Sequence, residues 1–108
     1  MWISGAKTYV DPIKPGDIMR GLGVAEVIFS RNKKFNVGDK VLGFTYWQKY
    51  SVLSGKGLTP LPPNHHNYEI FLGALGIAGL TAYFGFKKIG KLKKGEKVVV
   101  SAASGSVG

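Results

Sequence analysis

The stretch that decides the fold prediction is residues 97–108, KVVVSAASGSVG. Three consecutive valines are typical of a strand that is buried on both faces of a parallel sheet. Small residues follow where a helix would begin, and a pyrophosphate approaches backbone N–H groups closely only where side chains are small. The spacing Ala103-x-Gly105-x-x-Gly108 fits the GxGxxG pattern with alanine at the first position, although a small-residue turn closing a strand has the same spacing. No GK[ST] follows, which excludes a Walker A loop.

Upstream of this stretch, residues 67–90 predict two short helices. Asn67 can cap a helix that begins near Tyr68, and Glu69 then adds a negative charge in the first turn. Glycines recur at 73, 76 and 79, each costing roughly 1 kcal/mol against alanine inside a helix. They therefore predict close backbone packing or a break between two helices. The second helix is predicted over 80–88, ending near Gly90, and a turn over 94–96 leads into the valine strand.

Further upstream, residues 21–53 predict a compact β meander. Strands are expected within 21–30, over 40–44 and over 46–53, because these segments alternate or are rich in β-branched and aromatic residues. A turn is predicted at 36–39. Residues 54–67 contain Pro60, Pro62 and Pro63 and predict a connector, whereas residues 1–19 predict irregular structure with a turn at 14–17.

Composition excludes several classes of protein. The 108 residues are 44% hydrophobic, which is too apolar for a disordered tail and suits one modest domain. No run is long enough to span a bilayer. The absence of cysteine leaves no disulfide framework, thiolate zinc site or thiol nucleophile. The first dozen residues lack the pattern of a signal peptide, so the cytoplasm is the expected location.

The positive charge is concentrated in one segment. The formal net charge is +9, and Lys87–Lys97 contains six lysines and one acid, Glu96, a net charge of +5. No aromatic residue lies between these lysines to stack on bases. The expected structure is a solvated helix end and turn, where lysines suit the helix dipole. A basic anion or nucleic-acid binder is a weaker alternative, and the prediction is no nucleic-acid and no membrane partner.

Two long motifs make the sequence recognisable. Residues 72–85, LGALGIAGLTAYFG, and 94–108, KGEKVVVSAASGSVG, closely resemble the zinc-independent branch of the medium-chain dehydrogenase/reductase superfamily. They look most like the NADPH-dependent alkenal double-bond reductase and prostaglandin reductase (leukotriene B4 12-hydroxydehydrogenase) group. In the β block, residues 23–28, 38–43 and 47–51 resemble the GroES-like catalytic domain.

The resemblance implies a mixed α/β fold with three parts. Residues 1–67 would form a partial GroES-like domain, 68–95 linking helices, and 96–108 the first strand and phosphate loop of a truncated Rossmann domain. The chain is thus expected to be an internal fragment. The intact relative would reduce the carbon–carbon double bond of a small enal or enone by hydride transfer from NADPH. The alternative is a short non-catalytic remnant acting as a binding or assembly module.

The resemblance also implies which residues bind the cofactor. These are Thr81, near the nicotinamide, and the phosphate-loop residues Ser104, Gly105, Ser106, Val107 and Gly108. Thr81 has the alternative of bonding to its own helix backbone. No residue is identified as the proton donor, and a homodimer is left open for the intact protein.

Other candidate residues carry weaker functional interpretations. Tyr83 and Phe84 are expected in the core rather than at the cofactor. Trp47 and Tyr50 are expected to pack within the β block, with the border of a substrate cleft as the alternative.

The adjacent histidines, His65 and His66, suggest a metal site with Glu69. Adjacent side chains of an extended segment point to opposite sides, however, and no third good ligand is available, so no metal site is predicted.

Overall fold

In the computed structural model, residues 11–108 are described. The chain divides into two units, Met1–Pro63 and Asn64–Gly108. Residues 11–19 are irregular apart from one turn, as predicted, and the first ten residues of that prediction lie outside the described part. No helix among residues 11–108 has the length and apolar character needed to cross a bilayer.

The first unit contains an antiparallel sheet whose strands follow the order of the chain. Strand β1 spans Leu22–Glu26, β2 spans Lys40–Phe44 and β3 spans Thr59–Pro60, in the spatial order β1-β2-β3. Strand β2 has the predicted bounds, whereas β1 covers only the first part of the predicted segment. At one end of the β1–β2 pair, the Lys40 ammonium donates to the Glu26 carboxylate, since the two residues are register partners.

Two glycines face each other in the middle of this pair. Gly23 is the register partner of Gly43. A Cβ on Gly23 would meet the hydroxyl of Thr45, and a Cβ on Gly43 would meet the side chain of Leu58. Each glycine therefore lets a neighbouring side chain lie directly on the strand backbone, which is a common reason for glycine inside a strand.

Three turns share one design: Lys14–Asp17, Asn36–Asp39 and Lys93–Glu96. In each, the fourth residue's N–H donates to the first residue's carbonyl at 3.0, 3.1 and 3.2 Å. The third residue is glycine, with φ of 97°, 95° and 94°, the left-handed conformation that type II turns demand. The side-chain carboxylate of the fourth residue accepts from the first residue's N–H at 2.9, 2.7 and 2.8 Å. The turns predicted in these places are confirmed.

The strand predicted over 46–53 is wrong. The chain continues alongside β1 only as far as Trp47, whose N–H donates to the carbonyl of Met19 at 3.0 Å. Tyr46 has a φ of 59°, which breaks the extended backbone, and the Ser51 hydroxyl donates back to the Thr45 carbonyl. The third strand instead lies in the predicted connector, where the Leu61 N–H donates to the Lys40 carbonyl at 2.8 Å.

The core of the first unit is small. The buried apolar side chains among residues 11–63 come from the irregular start, the β1–β2 loop, β2 and the residue after β3: Ile13, Phe35, Val41 and Leu61. Val41 is the least exposed, at 3%. The buried core of residues 11–63 is therefore limited to these four apolar side chains.

The second unit contains three short helical elements. A 3-10 helix spans Tyr68–Phe71, α1 spans Ile77–Phe84 and a π-helical turn spans Gly85–Ile89, ending at Gly90. The Asn67 amide oxygen accepts from the Glu69 N–H at 3.0 Å, so the predicted cap is confirmed. The second helix, α1, begins three residues earlier than predicted, and the helical segment that it forms with the π-helical turn ends at Gly90, as predicted.

The glycines between these helices have both expected roles. Gly76 is the extended N-cap residue of α1 and marks the break between two helices. A Cβ on Gly79 would collide with the carbonyl group of Ala74, so the backbones approach closely there. A Cβ on Gly76 would lie 2.7 Å from the Phe71 carbonyl oxygen, whereas a Cβ on Gly73 would meet nothing within 4 Å. Close backbone packing therefore requires glycine at 76 and 79 but not at 73.

No residue from 64 to 108 is buried. Tyr83 and Phe84 pack ring to ring, with centroids 5.5 Å apart, but both are exposed, so the prediction of core positions is wrong. The valine strand is also not formed, and Val99 is 96% exposed. A strand needs a neighbouring strand to pair its backbone groups, and among the described residues the three strands belong to an antiparallel sheet in the first unit.

Candidate functional site

The predicted phosphate loop forms a tight turn. The Gly105 N–H donates to the Ala102 carbonyl at 2.8 Å, and Ala102 has a φ of 51°. The loop residues are all exposed. Residues 101–108 form no helix, so the helix dipole expected at this position is not part of the local structure.

Glycine is required at one end of this loop. A Cβ on Gly108 would lie 2.5 Å from the Ala102 carbonyl oxygen and 2.7 Å from the Ala103 Cα, both closer than real Cβ contacts. A Cβ on Gly105 would lie 3.1 Å from the same oxygen, which is tight but less severe. The loop therefore folds back on its own backbone, and the structure brings the predicted glycines together around Ala102.

The exposed groups of this loop suit a phosphate. Ser104 and Ser106 present hydroxyl groups, which donate hydrogen bonds, and the loop lacks a carboxylate that would repel an anion. Small side chains leave the backbone amides open to approach. The donor set is thus compatible with the pyrophosphate of a dinucleotide.

Thr81 lies in α1 and bonds within that helix. Its hydroxyl donates to the Ile77 carbonyl at 2.8 Å, the alternative considered from the sequence. A hydroxyl that donates once still has lone pairs that accept. The expected position beside a nicotinamide stays a prediction.

The aromatic pair of the β block is exposed rather than packed. Trp47 is 77% exposed and Tyr50 66%, so the packing interpretation is wrong. The indole of Trp47 nevertheless covers Gly21, since a Cβ on that glycine would lie 2.7 Å from the indole Cδ1. The Lys49 ammonium lies 5.5 Å from the Tyr50 ring centroid, a cation–π distance.

Two cavities among the described residues of the first unit are lined by the β1–β2 loop. One, of about 360 Å³, is lined by residues of that loop such as Arg31 and Lys33. The other, of about 580 Å³, lies between that loop and the Gly55-Lys56-Gly57 turn, and is also lined by Lys34. Neither contains a residue predicted for a site. The signal that could have indicated the second is the pair of glycines around Lys56, which have φ of 85° and 74°.

His65 packs with neighbouring aromatic rings. The His65 ring centroid lies 5.8 Å from that of Tyr68 and 5.3 Å from that of Phe71. Its Nδ1 accepts from the Asn67 N–H at 3.2 Å. Over residues 11–108, no group of three or more histidine, cysteine, aspartate or glutamate side chains is arranged to hold a metal ion.

Comparison with known proteins places the chain in a family. Residues 1–61 match the family described as the N-terminal domain of oxidoreductase. The chain is 42% identical over 102 residues to the NADP(+)-dependent 2-alkenal reductase of Nicotiana tabacum. It is 44% identical over 99 residues to prostaglandin reductase 1 of Mus musculus. The chain belongs to the medium-chain reductases of the alkenal and prostaglandin reductase group.

Other members of this medium-chain reductase group agree in sequence and in fold. The NADPH-dependent curcumin reductase of Escherichia coli is 41% identical over 98% of the chain. The crystal structure of CurA from Vibrio vulnificus in complex with NADPH matches with a TM-score of 0.83 and 36% identity, over 98% of the chain and 32% of CurA.

The match covers only part of each relative. The tobacco match includes 94% of the chain and the mouse match includes 89%, but each includes only 30% of the relative. It covers 31% of the curcumin reductase. The chain therefore spans about a third of the length of the curated relatives it matches.

Proposed function

We propose that the protein containing this chain reduces the carbon–carbon double bond of α,β-unsaturated aldehydes or ketones with NADPH as reductant. The observation that carries this proposal is the 42% identity to a 2-alkenal reductase over 94% of the chain. The curcumin reductase, at 41% identity, supports the same cofactor by its name. The substrate is then a small molecule with a double bond conjugated to a carbonyl group.

The division of the chain into domains is part of the same proposal. Residues 1–67 belong to the GroES-like domain, 68–95 link the domains, and 96–108 begin the Rossmann domain. The match of residues 1–61 to an N-terminal oxidoreductase domain supports the first part. The exposed valines of residues 98–100 support the last, because an all-apolar strand of this kind gains its stability between neighbouring strands.

Cofactor binding is assigned to the loop and to α1. Ser104, Gly105, Ser106, Val107 and Gly108 hold the phosphates of NADPH, and Thr81 lies near the nicotinamide. The cofactor supplies the hydride, and the residues of this chain bind and orient it. The close approach of Gly108 to Ala102 keeps the loop compact, and the hydroxyls of Ser104 and Ser106 are exposed to donate.

The test is an assay of NADPH oxidation with a 2-alkenal, measured as the loss of NADPH absorbance, on the protein that contains this chain. We expect turnover with the enal and none with the saturated aldehyde of the same length. Gly108→Ala should raise the KM for NADPH roughly tenfold, since its Cβ would displace the loop backbone. Gly73→Ala is the matched control, because its Cβ meets nothing within 4 Å.

Two results would contradict the proposal. A folded protein that binds NADPH but reduces no enal or enone would refute the reaction. An unchanged KM for NADPH in Gly108→Ala would refute the assignment of the loop while leaving the reaction intact.

A further inference from the structure

His65 contacts the first helix of the second unit through both its backbone and its ring. Its Nδ1 accepts from the Asn67 N–H at 3.2 Å, and its own N–H donates to the Tyr68 hydroxyl at 3.1 Å. The Asn67 amide oxygen in turn caps the 3-10 helix by accepting from the Glu69 N–H at 3.0 Å. The imidazole therefore holds in place the residue that caps the helix.

The same ring packs along the length of this helix. Its centroid lies 5.8 Å from that of Tyr68, the first residue of the 3-10 helix, and 5.3 Å from that of Phe71, the last. Together with the hydrogen bonds, these ring contacts all lie within residues 65–71. The arrangement of the imidazole thus follows from its immediate neighbours in the chain and not from packing against more distant residues.

The hydrogen bond from Asn67 requires a neutral imidazole. A ring nitrogen of histidine accepts only when it carries no proton, and in the protonated ring both nitrogens are donors. Histidine changes its charge between about pH 5 and about pH 8. Protonation of His65 would place the N–H of Nδ1 against the N–H of Asn67, so this hydrogen bond forms at neutral pH and is lost as the pH falls.

The charged neighbours of His65 do not compensate for this loss. The titratable groups of the 3-10 helix that packs against it are the Tyr68 hydroxyl, which accepts from the His65 N–H, and the Glu69 carboxylate. Over residues 11–108, the ion pair lies in the first unit, so Glu69 forms no ion pair with the imidazole. His66, the next residue, gains positive charge over the same pH range. Protonation of His65 therefore removes a hydrogen-bond acceptor without forming an ion pair in its place.

We infer that His65 is a pH-sensitive switch at the start of the second unit. The neutral imidazole holds Asn67 in its capping position, and the protonated imidazole releases it. Acidification then frays the 3-10 helix, Tyr68–Phe71, because its first turn loses the residue that caps it. This inference is independent of the proposed reductase activity, since the contacts that carry it lie within residues 65–71.

The experiment is NMR measurement of amide exchange with water in the protein that contains this chain, at about pH 7.5 and about pH 5. Each rate is divided by the intrinsic rate of that amide at the same pH. We expect the protection of the Asn67 and Glu69 amides to fall about fivefold at the lower pH, the effect of one hydrogen bond. His65→Asn keeps an oxygen that can accept from the N–H two residues later and cannot be protonated. It should therefore retain the protection at both pH values.

The matched control is His66→Asn, which makes the same substitution at the adjacent histidine. Its Asn67 amide should lose protection at the lower pH, as in the unsubstituted protein. Equal protection at the two pH values in the unsubstituted protein would overturn the inference. So would a loss of protection that persists in His65→Asn or disappears in His66→Asn, because the titrating group would then not be His65. Circular dichroism checks that each variant is folded, and the unsubstituted protein tests the inference by itself.

Discussion

The two units differ in where their strands find partners. In the first unit, β1, β2 and β3 are neighbours along the chain and pair in that order, and residues 11–63 bury four apolar side chains. In the second, the most strand-like sequence, residues 97–101, pairs with no strand among the described residues, and no side chain is buried. Residues 27–39 connect β1 to β2 and residues 45–58 connect β2 to β3, so each of these strands finds its partner within the first unit. Strand propensity alone does not form a strand at 97–101, because the backbone groups of a strand need a neighbouring strand to pair with.

The largest effect expected from this comparison is in the core of the first unit. Phe35 is 7% exposed and Phe29 is 72% exposed. These two phenylalanines therefore provide a buried and an exposed position of the same residue type within the first unit. Phe35→Ala should lower the free energy of unfolding by about 3 kcal/mol, since it opens a cavity. Phe29→Ala should change it by less than about 0.5 kcal/mol. Urea unfolding followed by circular dichroism measures both, and equal losses would mean that the core does not stabilise the sheet.

A smaller effect is expected between the helices of the second unit. Gly79→Ala should destabilise the junction before α1 by about 2 kcal/mol, because the new Cβ would overlap the Ala74 carbonyl. Gly73→Ala places its Cβ in open space and should be neutral. Amide hydrogen exchange in α1 separates the two outcomes. Equal protection in both variants would contradict the close packing at Gly79.

The smallest effect is expected at a kind of turn that occurs in both units. Asp39→Ala and Glu96→Ala each remove a carboxylate that accepts from the first N–H of its turn. We expect Asp39→Ala to cost about 1 kcal/mol, since its turn leads directly into β2. Glu96→Ala should leave the urea midpoint unchanged, because the residues around it are exposed. A larger loss for Glu96→Ala would show that the second unit contributes cooperatively to stability.

Local signals in the sequence were sufficient wherever neighbouring residues decide the structure. The glycine turns, the Asn67 cap and the end of the helix at Gly90 are confirmed, since each depends on a hydrogen bond or backbone conformation within a few residues. Residues 46–53 were predicted wrongly because their aromatic and β-branched residues indicate a strand, whereas the left-handed conformation of Tyr46 ends pairing there. The two-residue strand β3 has no periodicity to detect.

The candidate site was predictable only at the level of residue types. The spacing of Gly105 and Gly108 indicated a tight loop, and the contact around Ala102 shows why glycine is needed at 108. The hydrogen bond from the Thr81 hydroxyl to the Ile77 carbonyl could be expected from helical spacing. Helical spacing does not indicate which group would donate to the remaining lone pairs of that hydroxyl. Tyr83 and Phe84 were expected in a core, and helical spacing alone does not say what covers the apolar face of a helix.

The order of the sheet has a consequence for how the first unit is made. Its strands pair with successive strands of the chain, and the last backbone bond to β2 comes from Leu61. These strand pairs lie between residues 22 and 61, so none of them waits for the second unit to be synthesised. Because a chain is synthesised from its N-terminus at roughly 5–20 residues per second, the sheet can close while the second unit is still being added. The first unit can therefore complete its strand pairing during translation, whereas residues 98–100 pair with no strand among residues 11–108.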